Sequence, residues 1–111
     1  MYAEALNEME VVDNTRDKPF NDVRERAGLD GLDGLSKEAF RLALEKERRV
    51  EFLSEGHRWF DLLRTGRTIQ VINHYYQSSG LTFSVSDDKL LMPIPLREID
   101  VNPEMSQNKG Y

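Results

Sequence analysis

Residues 45–66 read EKERRVEFLSEGHRWFDLLRTG, from Glu45 to Gly66, and this stretch decides how the chain folds. Ser36 is a good N-cap upstream of it, and Glu38 in the first turn suits the positive end of a helix dipole. The pattern predicts the longest helix of the chain from Lys37 to about Ser54. On a helical wheel with Phe40 at zero, Leu44 falls near about +40°, Glu47 near about −20° and Glu51 near about +20°. The apolar stripe that begins as Phe40, Ala43 and Leu44 therefore continues as two carboxylates, flanked by Val50 and Phe52. Carboxylates one turn apart repel unless cations neutralise them. Arg48, Arg49, Arg58 and Arg64 are close by in sequence. The expectation is a partly buried ionic network of Glu47, Arg48, Arg49, Glu51, Arg58 and Arg64 that locks the long helix to the next one. Gly56 ends or bends the long helix, and residues 57–65 make a further turn or two, closed by Gly66.

The same residues invite a catalytic reading, which is the weaker one. A glycosidase needs two carboxyl groups facing each other across the sugar, about 5–10 Å apart. Glu47 and Glu51 project side by side from one helix, and arginines lower carboxyl pKa values where a general acid needs one raised. His57 and His74 lie too far apart in sequence for a His-x-x-x-His metal site, and a histidine between Gly56 and Arg58 more often caps a helix end. Trp59 and Phe60, at helical spacing among leucines, read as core. Tyr75 and Tyr76, beside a polar loop, are more open to a ligand-stacking role and are the candidate binding residues. No phosphate loop, nucleophile elbow, cofactor cradle or metal cage is legible, so no catalytic residue, metal or cofactor is expected.

Outward from the centre, Tyr2, Ala5, Leu6 and Met9 give a helical face, and the polar run Asp13-Asn14-Thr15 interrupts it. Pro19 suits a first helical position, which predicts a second helix through Phe20, Val23 and Ala27, stopped by Gly28. Residues 29–35 read as a loop whose leucines tuck into the core. Beyond Gly66, Ile69, Ile72 and Tyr76 continue helically until the break at Ser78-Ser79-Gly80. Leu81 to Val85 alternates as a short strand or extended loop would, Pro93 and Pro95 keep the next segment extended, and a final turn holds Arg97 to Val101 before an irregular tail.

Composition agrees with a folded, helix-rich chain: of 111 residues, 39% are hydrophobic and 32% charged. No apolar run approaches the roughly 20 residues of a membrane-spanning helix. The net charge of −5 is uneven. Residues 1–35 carry nine acids and four bases, residues 36–67 six acids and eight bases, and the remainder five acids and three bases. That distribution offers no footprint for nucleic acid. There is no cysteine, hence no disulfide and no thiolate metal site. The chain opens directly in a helical pattern whose partner face must come from elsewhere, so residues 1–111 are expected to be a single segment of something longer.

Three stretches together resemble the SusD/RagB family. They are YAEALNE at residues 2–8 with NDVRERAGL at 21–29; ERRVEF at 47–52 with EGHRWFDL at 55–62 and Arg64; and LLMPIP at 90–95 with REIDVNP at 97–103 and QNKGY at 107–111. The resemblance covers nearly the whole chain and implies the carboxy-terminal portion of such a protein. The implied architecture is mainly α, with a tetratricopeptide-like helical pair, the long central helix, an irregular Pro-rich carboxy-terminal tail and little or no β. It further implies a lipoprotein of the cell outer membrane in Bacteroidetes-type bacteria. Such a protein captures a glycan or other nutrient without catalysis and hands it to a SusC-like TonB-dependent transporter. The lipid-bearing cysteine of the family is absent from this stretch. Two alternatives stand beside this reading: a helical protein–protein module contacting the transporter, and a glycoside hydrolase using Glu47 and Glu51. Self-association through an uncovered apolar face is a further expectation.

Overall fold

A computed structural model describes residues 1–111. Six α-helices follow one another as α1 (Tyr2–Glu8), α2 (Asn14–Arg26), α3 (Lys37–Glu51), α4 (Arg58–Arg64), α5 (Thr68–Ser78) and α6 (Leu96–Val101). One 3-10 turn, Asp87–Lys89, lies between α5 and α6. No strand forms, so the mainly helical class expected from the sequence is the one observed. The chain divides into two compact units, Met1–His57 and Arg58–Tyr111.

In the first unit α1 packs on both α2 and α3. Their shared core is small: Ala3, Phe20 and Phe40 are buried, with Leu32, Leu35, Ala43 and Leu44 packed around them. The Phe20 and Phe40 rings meet at 5.0 Å between centroids, tilted by 59°, a favoured offset geometry for an aromatic pair. The loop leucines at 32 and 35 do turn inward, whereas Leu29 stays exposed. Below the rings lies a polar centre. Arg16 is wholly buried, with its guanidinium 4.2 Å from the centroid of the Phe40 ring. Its Nε donates to Asp17 Oδ1 at 2.7 Å, Nη1 to Asn7 Oδ1 at 3.1 Å and Nη2 to the Leu35 carbonyl at 2.9 Å. Asn7 in turn donates to the Lys37 carbonyl, and Asp17 accepts from the Gly34 N–H. One arginine thereby ties α1, α2, the 28–36 loop and the start of α3 together.

Two boundaries differ from the sequence expectation. α2 begins at Asn14, five residues before Pro19, because Asp13 caps it by accepting from the Thr15 N–H at 2.8 Å. Pro19 thus sits inside the helix, and the bond its missing N–H forfeits would have gone to the carbonyl of Thr15, an exposed residue that water can reach. α3 stops at Glu51, short of Ser54, and the chain then turns through Ser54 and Gly56, both at positive φ. The Ser36 cap forms as expected, with its hydroxyl accepting from the Ala39 N–H.

The second unit is held by side-chain amides more than by an apolar core, of which Leu62 is the one fully buried hydrophobic residue. Asn73 of α5 accepts from the Val85 N–H at 2.7 Å and donates to the Val85 carbonyl at 2.9 Å. Gln107 does the same for Ile94, at 2.8 and 2.9 Å. Asn108 donates to the Met92 carbonyl. These amides supply the backbone partners that a strand would have supplied. The tail closes tightly over the 3-10 turn: a Cβ at position 110 would lie 2.7 Å from Asp88 Cβ, and Gly110 has φ +94°. Lys89 donates to the Gly110 carbonyl and lies over the Tyr111 ring.

Candidate functional site

Glu47 and Glu51 carry the sequence's sharpest signal, and both are ion-paired. Arg24 donates to Glu47 at 2.7 Å, and Arg26 to Glu51 at 2.6 Å. Both arginines belong to α2, and neither was among the cations picked out from sequence proximity. The signal that could have found them is their i, i+2 placement at the basic end of α2, where the helix dipole favours positive charge. Arg24 is further fixed by a bond from its Nε to the Asp30 carbonyl. These pairs join α3 to α2. Arg48 lies 4.9 Å from the Phe52 ring centroid and reaches the Met1 sulfur, and Arg49 is exposed. In the second unit, Arg64 pairs with Asp61 at 3.0 Å, and Arg58 opens α4. With a guanidinium bonded to each of Glu47 and Glu51, this face is built as a clamp.

His57 stands edge-on to Phe52, with Nε2 3.8 Å from Glu55; His74 is exposed. No three His, Asp or Glu side chains converge in a way that could hold a metal ion. Trp59 is half-buried, but Phe60 departs from the expected core role: 67% of it is exposed, because the buried face of the seven-residue α4 is occupied by Leu62. An open groove of about 440 Å³ lies beside α1 and the start of α2, lined by Tyr2, Asn14, Thr15, Lys18, Pro19 and Asp22. Its two charged groups bond each other, Lys18 to Asp22 at 2.7 Å.

Tyr75 and Tyr76 are brought into a larger aromatic group. α5 ends at Ser78, where the Gly80 N–H donates to the Gln77 carbonyl and the Leu81 N–H to the Tyr76 carbonyl. This ending turns the chain back along the helix. The returning loop is then pinned through Val85 to Asn73, which sets Phe83 against Tyr76 at 6.0 Å between centroids and 65°. Tyr75 also meets Tyr76 at 6.0 Å, tilted by 52°. Tyr76 is half-buried between two exposed rings, Tyr75 at 55% and Phe83 at 68%. Phe83 was not legible as part of this group, because an apolar–polar alternation reads as strand and gives no hint of which helix the loop returns to.

The model of the SusD family matches residues 1–111. SusD-like protein P25 of Formosa agariphila is 34% identical over 120 aligned residues, covering 100% of this chain and 23% of its own length. SusD-like protein P38 of the same organism is 38% identical over 65 residues, covering 59% of this chain and 12% of its own. Among solved structures, a SusD homolog from Bacteroides thetaiotaomicron superposes with a TM-score of 0.85 at 31% identity, over 99% of this chain and 25% of that one. The chain therefore spans no more than about a quarter of the length of the relatives it matches.

Proposed function

The chain belongs to the SusD family, and on that premise we propose that it is part of a non-catalytic nutrient-binding component of an outer-membrane, TonB-dependent uptake system, with a glycan as the nutrient. The observation that carries this reading is the family match over the whole chain, together with the close superposition on a SusD homolog. In this reading the full protein is a surface-exposed lipoprotein, and a SusC-like transporter is its partner. No helix here is long and apolar enough to cross a membrane, which suits a receptor that delivers its ligand to a separate pore. The ion pairs of α3 act as scaffold, and Tyr75 and Tyr76 are the residues offered to ligand. A non-catalytic role is supported by Glu47 and Glu51, each engaged by its own arginine in the geometry of a clamp.

The helical protein–protein reading keeps one specific observation in its favour: Tyr2, Met9 and Val12, in and just after α1, are exposed. It fits within the receptor proposal as the surface that meets the transporter. Crosslinks from the transporter confined to residues 1–35 would support that surface. The receptor proposal itself is tested by deleting the coding region in the source bacterium and measuring uptake of fluorescent oligosaccharides. Reduced uptake, with co-purification of a TonB-dependent transporter on the intact protein, is the expected result. Unimpaired uptake of every oligosaccharide together with no co-purifying transporter overturns it.

A further inference from the structure

We infer that Tyr75, Tyr76 and Phe83 form a stacking surface for neighbouring pyranose rings of a neutral oligosaccharide, with Asn73 as the positioning residue that holds Phe83 in place. The class of ligand rests on the receptor reading above; the surface itself rests on geometry and charge. Three rings in succession, each 6.0 Å from the next, lie along α5 and its return loop. The two outer ones are exposed, and the rings are inclined to their middle neighbour by 52° and 65°. The C–H bonds on the flat side of a pyranose carry partial positive charge and meet the negative face of an aromatic ring, the same quadrupole that orders aromatic pairs. Were Phe83 present only to fill space, burying it would be worth about 1.5–3 kcal/mol. Instead Asn73, donating to the Val85 carbonyl and accepting from the Val85 N–H, holds the loop where the ring stays two-thirds exposed.

Charge selects the kind of sugar. Residues 68–86 contain no Asp, Glu, Lys or Arg, in a chain where those types make up 32%. A uronate or sulfated glycan would call for lysines or arginines at the surface, and this stretch has neither. Besides the exposed His74, its exposed polar groups include Gln77, Ser79, Thr82 and Ser84, whose amide and hydroxyl donors and acceptors suit sugar hydroxyls. A small number of such groups around an aromatic floor is the usual inventory of a site that orients a neutral ligand.

The test is titration calorimetry of the 111-residue chain with maltohexaose, cellohexaose, laminarihexaose and xylohexaose, and with hexagalacturonate as the anionic probe. At least one neutral hexaose is expected to bind, and more tightly than hexagalacturonate. Tyr75→Ala and Phe83→Ala should each weaken that binding about tenfold without lowering the melting temperature, since both rings are exposed. Asn73→Ala should cost as much affinity as Phe83→Ala. Adding Phe83→Ala to it should then cost little more, while Tyr75→Ala remains fully additive, a pattern that general loosening of the fold would not give. Neutral binding untouched by the Tyr75→Ala/Phe83→Ala pair overturns the surface and leaves the receptor reading standing. Binding of hexagalacturonate alone, or of no probe at all, also overturns the surface, and the receptor reading is then judged by uptake in the deletion strain.

Discussion

Arg16 is enclosed on every side, and each side answers its charge: Asp17, Asn7, the Leu35 carbonyl and the face of Phe40. Removing one partner of a buried pair strands the other, which costs about 3–5 kcal/mol. Arg16→Ala should therefore lower the stability of Met1–His57 by that order in denaturant unfolding. Arg16→Lys should recover only part of the loss, because an ammonium cannot reproduce the planar fork. A midpoint within experimental error of wild type for Arg16→Ala would show that the network is incidental. Glu10 is a second informative residue, since it holds φ +65° without being glycine. A left-handed conformation costs an ordinary residue about 1–2 kcal/mol, and the added freedom of a glycine in the unfolded chain takes back about 0.4–1 kcal/mol. Glu10→Gly should stabilise by a few tenths to about 1 kcal/mol, and a lower midpoint would contradict this. Neither residue was legible in the sequence. Arg16 directly follows the polar run Asp13-Asn14-Thr15, which reads as a turn, and periodicity marks apolar residues as core, never an arginine.

Elements show where sequence signals are strong and where they compete. α1, α2, α4 and α5 end alike, with an N–H bonding the carbonyl five residues back, from Val11, Leu29, Arg67 and Leu81. Three of these stops carried a glycine and could be read directly. The start of α2 could not, because Pro19 and Asp13 are both start signals and the cap won. That cap predicts a pH dependence. The backbone N–H of Thr15 holds the Asp13 carboxyl below its ordinary value of 3.8, and the hydrogen bond from Arg41 does the same for Glu8, below 4.5. Groups with depressed folded-state pKa values contribute fully above their unfolded values and lose that contribution as pH falls through the folded ones. Stability should thus decline below about pH 4.5, and Asp13→Asn with Glu8→Gln should flatten the decline; an unchanged slope would deny both groups their role. The α2–α3 pairs should differ from each other. Arg24 and Glu47 are only 16% and 13% exposed, so Glu47→Gln should cost about 1.5–3 kcal/mol. Arg26 and Glu51 are far more open, and Glu51→Gln should cost about 0–1 kcal/mol. Equal losses would undo the distinction between buried clamp and surface pair.

At the scale of the whole molecule, two small units expose much apolar surface, including Val50, Leu53 and Phe60 around and after the end of α3. Such surface favours association. Sedimentation of the isolated chain should show mass rising with concentration, and Val50→Glu with Leu53→Glu should suppress the rise. A concentration-independent monomer would remove the expectation. The family and the helical class were legible because the EKERRVEF…EGHRWFDL run and the LLMPIP…QNKGY tail are specific as strings. The aromatic surface was only half legible: Tyr75 and Tyr76 stand together in sequence, while Phe83 joins them through a pair of side-chain bonds that no local pattern encodes. Capture without chemistry by this chain, as proposed, is tested most directly by chromatography of neutral hexaoses on the immobilised chain. The result expected is retardation of at least one hexaose and its recovery at full length. Recovery of shorter products would contradict capture without chemistry, and unretarded elution of every hexaose would contradict capture by this chain.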